Sequence, residues 1–200
     1  MSNELQIENA ERALIVRFAR PEIRNPLSVA VLDQLHEVVD NFSLNADFDC
    51  LIFTGVGDVF ASGADLREIA QITHLAAPEF ARKGQSLMTK IAALHSTVAA
   101  INGYCFGGAL DLALACDTRI ASPDASFSHP GTGLGIITGW GGTQRLPRLV
   151  GQANALEMFF TARPVSSEHA FRIGLVDSVA DDIIEDSLAY LRGVGSSKVL

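Results

Sequence analysis

Asp111 is the carboxylate best placed to do chemistry in this sequence. It lies one turn into an otherwise apolar helical segment, residues 109–115. A spacing of three and four residues puts Asp111 on the same helix face as Gly107 and Gly108, so its carboxylate points toward whatever the backbone of those glycines holds. The pattern predicts a general base beside a backbone binding site. A structural carboxylate that compensates the helix dipole is the alternative interpretation.

Two glycine-containing turns have the composition of a backbone anion site. Residues 60–66 follow the apolar run 50–54, residues 104–109 follow the apolar run 98–101, and each turn comes just before a predicted helix. Glycine lets the backbone approach a ligand closely, and the first N–H groups of a helix have no partner inside it. Two such turns side by side would stabilise one developing oxyanion. Ordinary strand-to-helix connections have the same composition, so the turns alone leave both interpretations open.

The signatures of several other chemistries are missing from the sequence. No Gly-Lys-Ser/Thr follows a glycine cluster, and the glycines at 131, 133 and 135 do not continue as a dinucleotide-binding Gly-x-Gly-x-x-Gly. There is no Gly-x-Ser-x-Gly and no His-Glu-x-x-His, and the five histidines are scattered along the chain. We therefore expect neither a nucleophilic serine nor a metal centre.

Composition and charge limit the possible partners. The 200 residues are 48% hydrophobic and 19% charged, which is typical of one compact domain. A net charge of −8 disfavours nucleic acid and anionic membranes as partners. No segment has the length of a membrane span or the character of a signal peptide. The three cysteines form no Cys-x-x-Cys pair and lie among apolar neighbours, so we expect free thiols and a cytoplasmic location.

Alternating strands and helices predict an α/β domain with largely parallel pairing. The sequence opens with a predicted hairpin, residues 5–8 and 13–18, and Ser28 is a predicted helix cap. The further predicted strands are residues 50–54, 98–101, 118–121 and 175–179. The further predicted helices are residues 78–94, 107–116, 143–149, 152–160 and 167–173, with a glycine-rich connection at 131–142. No repeat or linker divides the chain, so one domain is expected.

Three motifs together are specific for one enzyme family. They read Phe-Ala-Ser-Gly-Ala-Asp-Leu at 60–66, Asn-Gly-Tyr-Cys-Phe-Gly-Gly-Ala-Leu-Asp-Leu-Ala at 102–113 and Gly-Trp-Gly-Gly-Thr-Gln-Arg-Leu-Pro at 139–147. Arg-Pro at 20–21, Asn-Pro-Leu at 25–27 and Gly-Leu-Val-Asp at 174–177 agree with them in order and spacing. From about residue 5 to about residue 190, the chain resembles the enoyl-CoA hydratase/isomerase (crotonase) superfamily.

The resemblance implies a fold, a substrate and an assembly. The fold is expected to be an α/β crotonase-type spiral of repeated β-β-α units, one domain over residues 1–200, with 175–200 the start of a truncated C-terminal helical region. The substrate is expected to be an acyl-CoA thioester, bound without a further cofactor because coenzyme A is part of the substrate. The assembly is expected to be a homotrimer or a dimer of trimers. Because the C-terminal trimerisation helices would be largely missing, we expect weaker assembly and a more open CoA site.

The resemblance also assigns roles to individual residues. The two N–H groups of the oxyanion hole fall on Ala64 and Gly108, in agreement with the glycine turns. Arg24 and Arg67 match positions that present a cation to the CoA phosphates, and Trp140 either lines the acyl pocket or packs in the core. The remaining expected substrate-binding positions are Ala61, Gly63, Asp65, Leu66, Gly107 and Gly131.

Departures from the family pattern at the acid/base positions bear on the reaction. Hydratases carry two glutamates, of which the first aligns with Asp111 and the second with Gly131. Dienoyl-CoA isomerases and aromatic dehalogenases add an aspartate that would align with Gly139. With Asp111 as the one confident carboxylate, we expect isomerisation or slow hydration. We also expect the volume vacated at Gly131 to admit a bulkier acyl group, a substrate carboxylate or a bound anion such as bicarbonate.

Three alternatives stay open at this point. His129, two residues before Gly131, would restore two-group chemistry if it moved into the gap, because the pKa of a histidine is naturally close to neutral. Loss of CO2 also generates an acyl-CoA enolate and needs fewer acid/base groups, which makes an acyl-CoA decarboxylase a second enzyme hypothesis. A catalytically degenerate acyl-CoA-binding subunit is the hypothesis without turnover.

Overall fold

The structure, a computed structural model, describes residues 4–193. Within this range the strands are β1 (Leu5–Ala10), β2 (Ala13–Phe18), β3 (Pro26–Leu27), β4 (Cys50–Gly55), β5 (Val59–Ala61), β6 (Gly63–Ala64), β7 (Thr97–Ile101), β8 (Tyr104–Phe106), β9 (Thr118–Ala121), β10 (Ser126–Ser128), β11 (Val165–Ser166) and β12 (Ser178–Val179). The α-helices are α1 (Val29–Leu44), α2 (Leu66–Ile69), α3 (Ala77–Ala93), α4 (Gly108–Ala115), α5 (Gly142–Val150), α6 (Gln152–Thr161), α7 (Ser167–Arg172) and α8 (Ile183–Leu191).

A six-stranded sheet forms the centre of the fold, in the order β1-β2-β4-β7-β9-β12. β1 and β2 pair antiparallel as the predicted hairpin, and every later pair of neighbours is parallel. β4 and β7 are buried along their whole length, as expected where other elements cover both faces of a parallel sheet. The predicted α/β class with largely parallel pairing is confirmed.

A second, smaller sheet has the order β11-β10-β8-β5. Its parallel strands β5, β8 and β10 follow the main-sheet strands β4, β7 and β9 in turn, and helices follow them along the chain. The expected repeat of β-β-α units is therefore confirmed. The prediction that residues 60–66 and 104–109 are simple turns is wrong, because they contain β6, β8 and part of β5. Strands of two or three residues are too short to show an alternating apolar pattern.

The carboxyl ends of β5, β8 and β10 lie at one edge of the smaller sheet because these strands are parallel. The N–H of Gly107, which follows β8, donates to the carbonyl of Ser128 at the end of β10 at 2.8 Å. Gly63, which follows β5, lies so close to α4 that a side chain on it would come within 2.8 Å of the Gly108 nitrogen. The edge therefore gathers the three segments that carry Ala64, Gly108 and His129.

Several element ends follow from local chemistry. The Ser28 side chain accepts a hydrogen bond from the N–H of Val31 at 3.2 Å and begins α1 as predicted. The predicted strand over 175–179 is wrong for its first three residues, since β12 is only Ser178–Val179. The reason is that the N–H of Leu175 bonds back to the carbonyl of Ala170 in α7 at 2.8 Å, so it is not available to a sheet.

The core lies on both faces of the main sheet. The larger cluster packs the strands against α1, α3 and α4, and the smaller one packs the opposite face against α8. The expected C-terminal region is thus represented by α8 on the sheet, while its residues 194–200 lie outside the described residues. Between residues 4 and 193, no helix combines the length and the apolar character that a membrane crossing needs.

Trp140 joins the core to the cavity described below. It is 3% exposed, and its ring lies 5.6 Å from the ring of Phe80, centroid to centroid. A methyl group built on Gly84 of α3 would overlap the indole, and so would one built on Gly108 at the start of α4. The indole therefore fills the gap between two helices because both helices present a glycine to it.

We predict that Gly84→Ala destabilises the fold by about 1–3 kcal/mol, because the added methyl overlaps the indole in a packed core. Helix propensity acts in the opposite direction and favours alanine by about 1 kcal/mol. Chemical denaturation measures the difference in unfolding free energy. In a Trp140→Ala background the same substitution should be neutral or stabilising. Equal destabilisation in both backgrounds would show that the methyl meets something other than the indole.

Candidate active site

A cavity of about 440 Å³ opens beside the edge of the smaller sheet. It has apolar walls from α2, α3 and the connection that leads to α5, including Ile69, Phe80 and Ile137. The structure brings together in its lining these residues expected from the sequence: Ala64, Leu66, Gly107, Gly108, Asp111, His129, Gly131 and Trp140. Trp140 thus both lines the cavity and packs in the core.

Ala61 and Gly63 are buried behind the cavity rather than in its lining. Gly63 has φ +90°, a backbone conformation that side-chain-bearing residues rarely adopt. A side chain there would also come within 2.6 Å of the carbonyl oxygen of Phe106. The absence of a side chain at Gly63 is what lets the Ala64 segment approach the start of α4.

The charged residues expected to contact CoA lie outside the cavity lining. Asp65 caps α2 through its bond from the N–H of Arg67, and it also binds the Arg67 guanidinium at 2.7 Å. That guanidinium holds the pKa of the Asp65 carboxyl below its usual range. The Arg24 side chain is exposed, and its carbonyl accepts the N–H of Ser62 at 3.0 Å. Arg24 thus supports the Ala64 segment through its backbone.

The start of α4 presents the Gly108 N–H to the cavity region. Gly108 is the first residue of the helix, so its N–H has no acceptor within the helix. Gly107 before it has φ 55° and ψ −123°, which glycine adopts without a steric penalty. Together with the hydrogen bond from Gly107 to Ser128, this conformation fixes the direction in which α4 begins.

Asp111 is fully buried, and its two carboxylate oxygens differ in their contacts. The hydroxyl of Thr138 donates to Oδ2, and the backbone N–H of Trp140 donates to the same oxygen at 3.2 Å. Oδ1 has no hydrogen-bond partner among the described residues. Burial raises the pKa of Asp111 to about 6, and the hydrogen bonds from Thr138 and Trp140 partly oppose that rise. One oxygen is thus held in place and the other is free for chemistry.

His129 faces the free oxygen of Asp111. Its Nε2 lies 3.7 Å from Oδ1, and neither ring nitrogen has a hydrogen-bond partner among residues 4–193. The imidazole packs on the ring of Phe159 with centroids 5.1 Å apart. Burial lowers the pKa of His129 to about 4, so the ring is neutral at pH 7.

The space around Gly142 and the space around Gly131 differ. A side chain on Gly142 would overlap Oδ1 and approach the Cε1 of His129 to 3.0 Å, so only glycine at this position leaves room for the two groups. The expected vacant volume at Gly131 is absent, because a Cβ there would lie 2.7 Å from the carbonyl oxygen of Ile136. The hydrogen bond from the N–H of Ile136 to the Gly131 carbonyl, 2.9 Å long, folds the connection over that position. The prediction of a larger acyl pocket at Gly131 is therefore wrong.

Sequence reasoning missed Thr138, Gly142 and Phe159. Thr138 and Gly142 lie in or beside the glycine-rich connection, where no periodic pattern marks one position above another. Phe159 is in α6, and it reaches His129 only through the tertiary fold. The one usable signal was the buried Asp111 itself, since an ionisable group in an apolar helix requires hydrogen-bond donors from elsewhere.

Comparison with known proteins places this geometry in a family. A sequence model described as enoyl-CoA hydratase/isomerase matches residues 8–191. The crotonyl-CoA hydratase of Syntrophomonas wolfei is 39% identical over 175 residues, which cover 86% of this chain and 67% of the relative. The short-chain-enoyl-CoA hydratase of Clostridium acetobutylicum is 35% identical over 181 residues, which cover 90% of this chain and 69% of the relative.

Solved structures agree with the sequence comparisons. The crystal structure of enoyl-CoA hydratase from Bacillus anthracis superimposes with a TM-score of 0.90 at 33% identity, over 96% of this chain and 76% of that one. The enoyl-CoA hydratase from Thermoplasma volcanium superimposes with a TM-score of 0.88 at 30% identity, over 98% and 79% of the two chains. The fold is therefore the crotonase fold, and the chain belongs to the enoyl-CoA hydratase/isomerase family.

Proposed function

We propose that this protein binds the acyl group of an enoyl-CoA thioester in the cavity and moves a proton at the carbon next to the thioester, through an enolate. The observation that carries the proposal is the free Oδ1 of Asp111 in a cavity that also contains the start of α4. Relatives named crotonyl-CoA hydratase and short-chain-enoyl-CoA hydratase support an enoyl-CoA as the substrate.

The thioester oxygen is held by the backbone N–H groups of Ala64 and Gly108. Both residues line the cavity, and the close approach of Gly63 to the Gly108 nitrogen keeps their backbones adjacent. When the thioester becomes an enolate, negative charge develops on its oxygen. Preorganised N–H donors stabilise that charge more than they stabilise the neutral thioester, so they accelerate the step.

Asp111 is the general base of the proposed reaction. Its ionised form takes a proton from C2 of a 3-enoyl-CoA, and the electron pair of the C–H bond moves into the thioester to give the enolate. Return of the proton from Asp111 to C4 shifts the double bond and restores the carboxylate. Because the pKa of Asp111 is about 6, the carboxylate is mostly ionised at pH 7 and still accepts a proton readily.

The CoA part of the substrate requires cations outside the cavity. Arg24 is exposed, whereas the guanidinium of Arg67 is already held by Asp65. We therefore assign the first phosphate contact to Arg24, with Arg67 contributing when it exchanges its partner. Assembly as a homotrimer or a dimer of trimers belongs to the same proposal.

Asp111→Asn should abolish the chemistry and stabilise the fold. Exchange of the C2 protons of butanoyl-CoA in D2O, followed by mass spectrometry, should fall at least about 100-fold because the base is lost. The pKa of Asp111 is about 6 in the folded protein, above the usual 3.8 of an aspartate in an unfolded chain, so the folded state loses stability as the pH rises through this window. The asparagine side chain does not ionise, so the variant does not lose this stability. Its unfolding free energy at pH 8 should exceed that of the wild type by up to about 3 kcal/mol.

Two results would contradict this assignment of Asp111. One is an asparagine variant that keeps the exchange rate of the wild type. The other is a variant whose unfolding free energy at pH 8 is lower than that of the wild type.

Thr138→Val should shift the pH dependence of the reaction. The substitution removes a hydrogen bond that stabilises the ionised form of Asp111, so the pKa of Asp111 rises. We expect the acidic limb of the exchange rate to move upward by about one pH unit. Thr138→Ser keeps the hydroxyl and serves as the control, with a limb close to that of the wild type. If the acidic limb of the pH profile does not move in the valine variant, Thr138 does not control the pKa of Asp111.

Removal of the Gly108 N–H tests the oxyanion hole. Any side chain at this position would overlap Trp140, so proline is not a clean probe. An ester bond in place of the amide between residues 107 and 108, introduced by semisynthesis, removes the N–H and adds no atom. We expect exchange to slow about 100-fold or more, and the thioester C=O stretch of bound substrate to move back toward its frequency in water. An ester variant with wild-type rate and frequency would exclude Gly108 as a donor.

A further inference from the structure

We propose that Asp111 and His129 together bind the water molecule that adds to C3 of a 2-enoyl-CoA, so that the protein is a hydratase whose second water-binding group is a histidine. The inference rests on the proposed function, because it uses the same cavity and the same enolate. It adds the reaction that distinguishes a hydratase from an isomerase.

The distance between the two side chains matches the span of one bridging water. Nε2 of His129 and Oδ1 of Asp111 are 3.7 Å apart, which is too far for a direct hydrogen bond. A single water placed about 2.8 Å from each atom bonds to both. Both residues line the cavity, so a water at this place would face the bound acyl group.

The unpaired atoms of Asp111 and His129 indicate that a polar ligand binds between the two side chains. Oδ1 of Asp111 and both ring nitrogens of His129 are buried without a partner in the described residues. A buried polar atom left unpaired costs about 1–3 kcal/mol, and buried polar atoms of native proteins are nearly always paired. A water with two or more polar partners is the usual solution at such a place.

The surroundings hold the imidazole in its neutral form. Among residues 4–193, Asp111 is the ionisable group that faces it, and Phe159 packs against its ring. The positive charge of Arg145 lowers the pKa of Asp111. The Arg145 guanidinium donates to the carbonyl of Trp140 at 3.4 Å, which keeps it near the backbone that binds Asp111. A neutral imidazole has a ring nitrogen that accepts a hydrogen bond, so it can orient a water that donates to it.

Hydration then proceeds with Asp111 as the only proton carrier. The water donates one O–H to Oδ1 and the other to a ring nitrogen of His129, which leaves a lone pair directed at C3. As the C3–O bond forms, the C2=C3 electron pair moves into the thioester, and Oδ1 takes a proton from the water. Asp111 then gives that proton to C2. The product is a 3-hydroxyacyl-CoA, and both side chains return to their starting states.

The test compares two reactions in the same variants. Hydration of 2-butenoyl-CoA requires the water, whereas exchange of the C2 protons of butanoyl-CoA in D2O requires only the base and the oxyanion hole. His129→Phe removes both nitrogens and keeps a ring against Phe159, and His129→Gln keeps a hydrogen-bonding group. We expect His129→Phe to lower the ratio of hydration to exchange at least about 100-fold, and His129→Gln to restore most of it. Asp111→Asn is the control that loses both reactions.

Each other outcome overturns the inference. A phenylalanine variant that is folded by circular dichroism and keeps the wild-type ratio would show that His129 does not hold the water. An equal loss of both reactions in His129→Phe and His129→Gln would make His129 a support for the pocket. Wild-type protein that exchanges protons but does not hydrate would leave the proposed function standing and remove the hydratase. Wild-type protein that does neither would remove both.

Discussion

The burial of one ionisable carboxylate, Asp111, is the constraint on which the rest of the site depends. A carboxylate without solvent must find hydrogen-bond donors, and here they come from Thr138 and from the backbone of Trp140. Both donors bind Oδ2, and the backbone of Gly142 and the charge of Arg145 also favour the ionised form. The result is an acid that is harder to ionise than a surface aspartate and has one oxygen left for a ligand.

Packing at three glycines connects this carboxylate to the core. Gly84 and Gly108 leave room for the indole of Trp140, and Gly142 leaves room for the oxygen of Asp111 that faces His129. The backbone of Trp140 donates to Asp111 while its ring is enclosed by α3 and α4. Displacement of the indole would therefore change both the fold and the orientation of the base. Closely packed protein interiors transmit such shifts to the neighbouring groups.

Much of the site was predictable from the sequence, because its residues belong to motifs with local spacing. Asp111 follows from its place in an apolar helix, Gly108 and Ala64 follow from the resemblance to the family, and all three line one cavity. The second sheet was not predictable from periodicity, since its strands are two or three residues long. Thr138 and Phe159 meet the site through contacts between segments far apart in sequence, which no local pattern records. The expectation of free volume at Gly131 was wrong for a related reason. The carbonyl of Ile136, which no local pattern places there, lies where a side chain on Gly131 would begin.

The most direct test of this account is the pKa of Asp111 itself, because the proposed base, its donors and its free oxygen all follow from its burial. A titration of protein labelled with ¹³C at aspartate carboxyl groups, followed by NMR, measures that value, and the Asp111→Asn spectrum assigns the signal. The account predicts a midpoint at about 6 for Asp111, against the usual 3.8 of an aspartate. A midpoint at or below about 4 would mean that the carboxylate is exposed to solvent rather than buried, and would contradict the account.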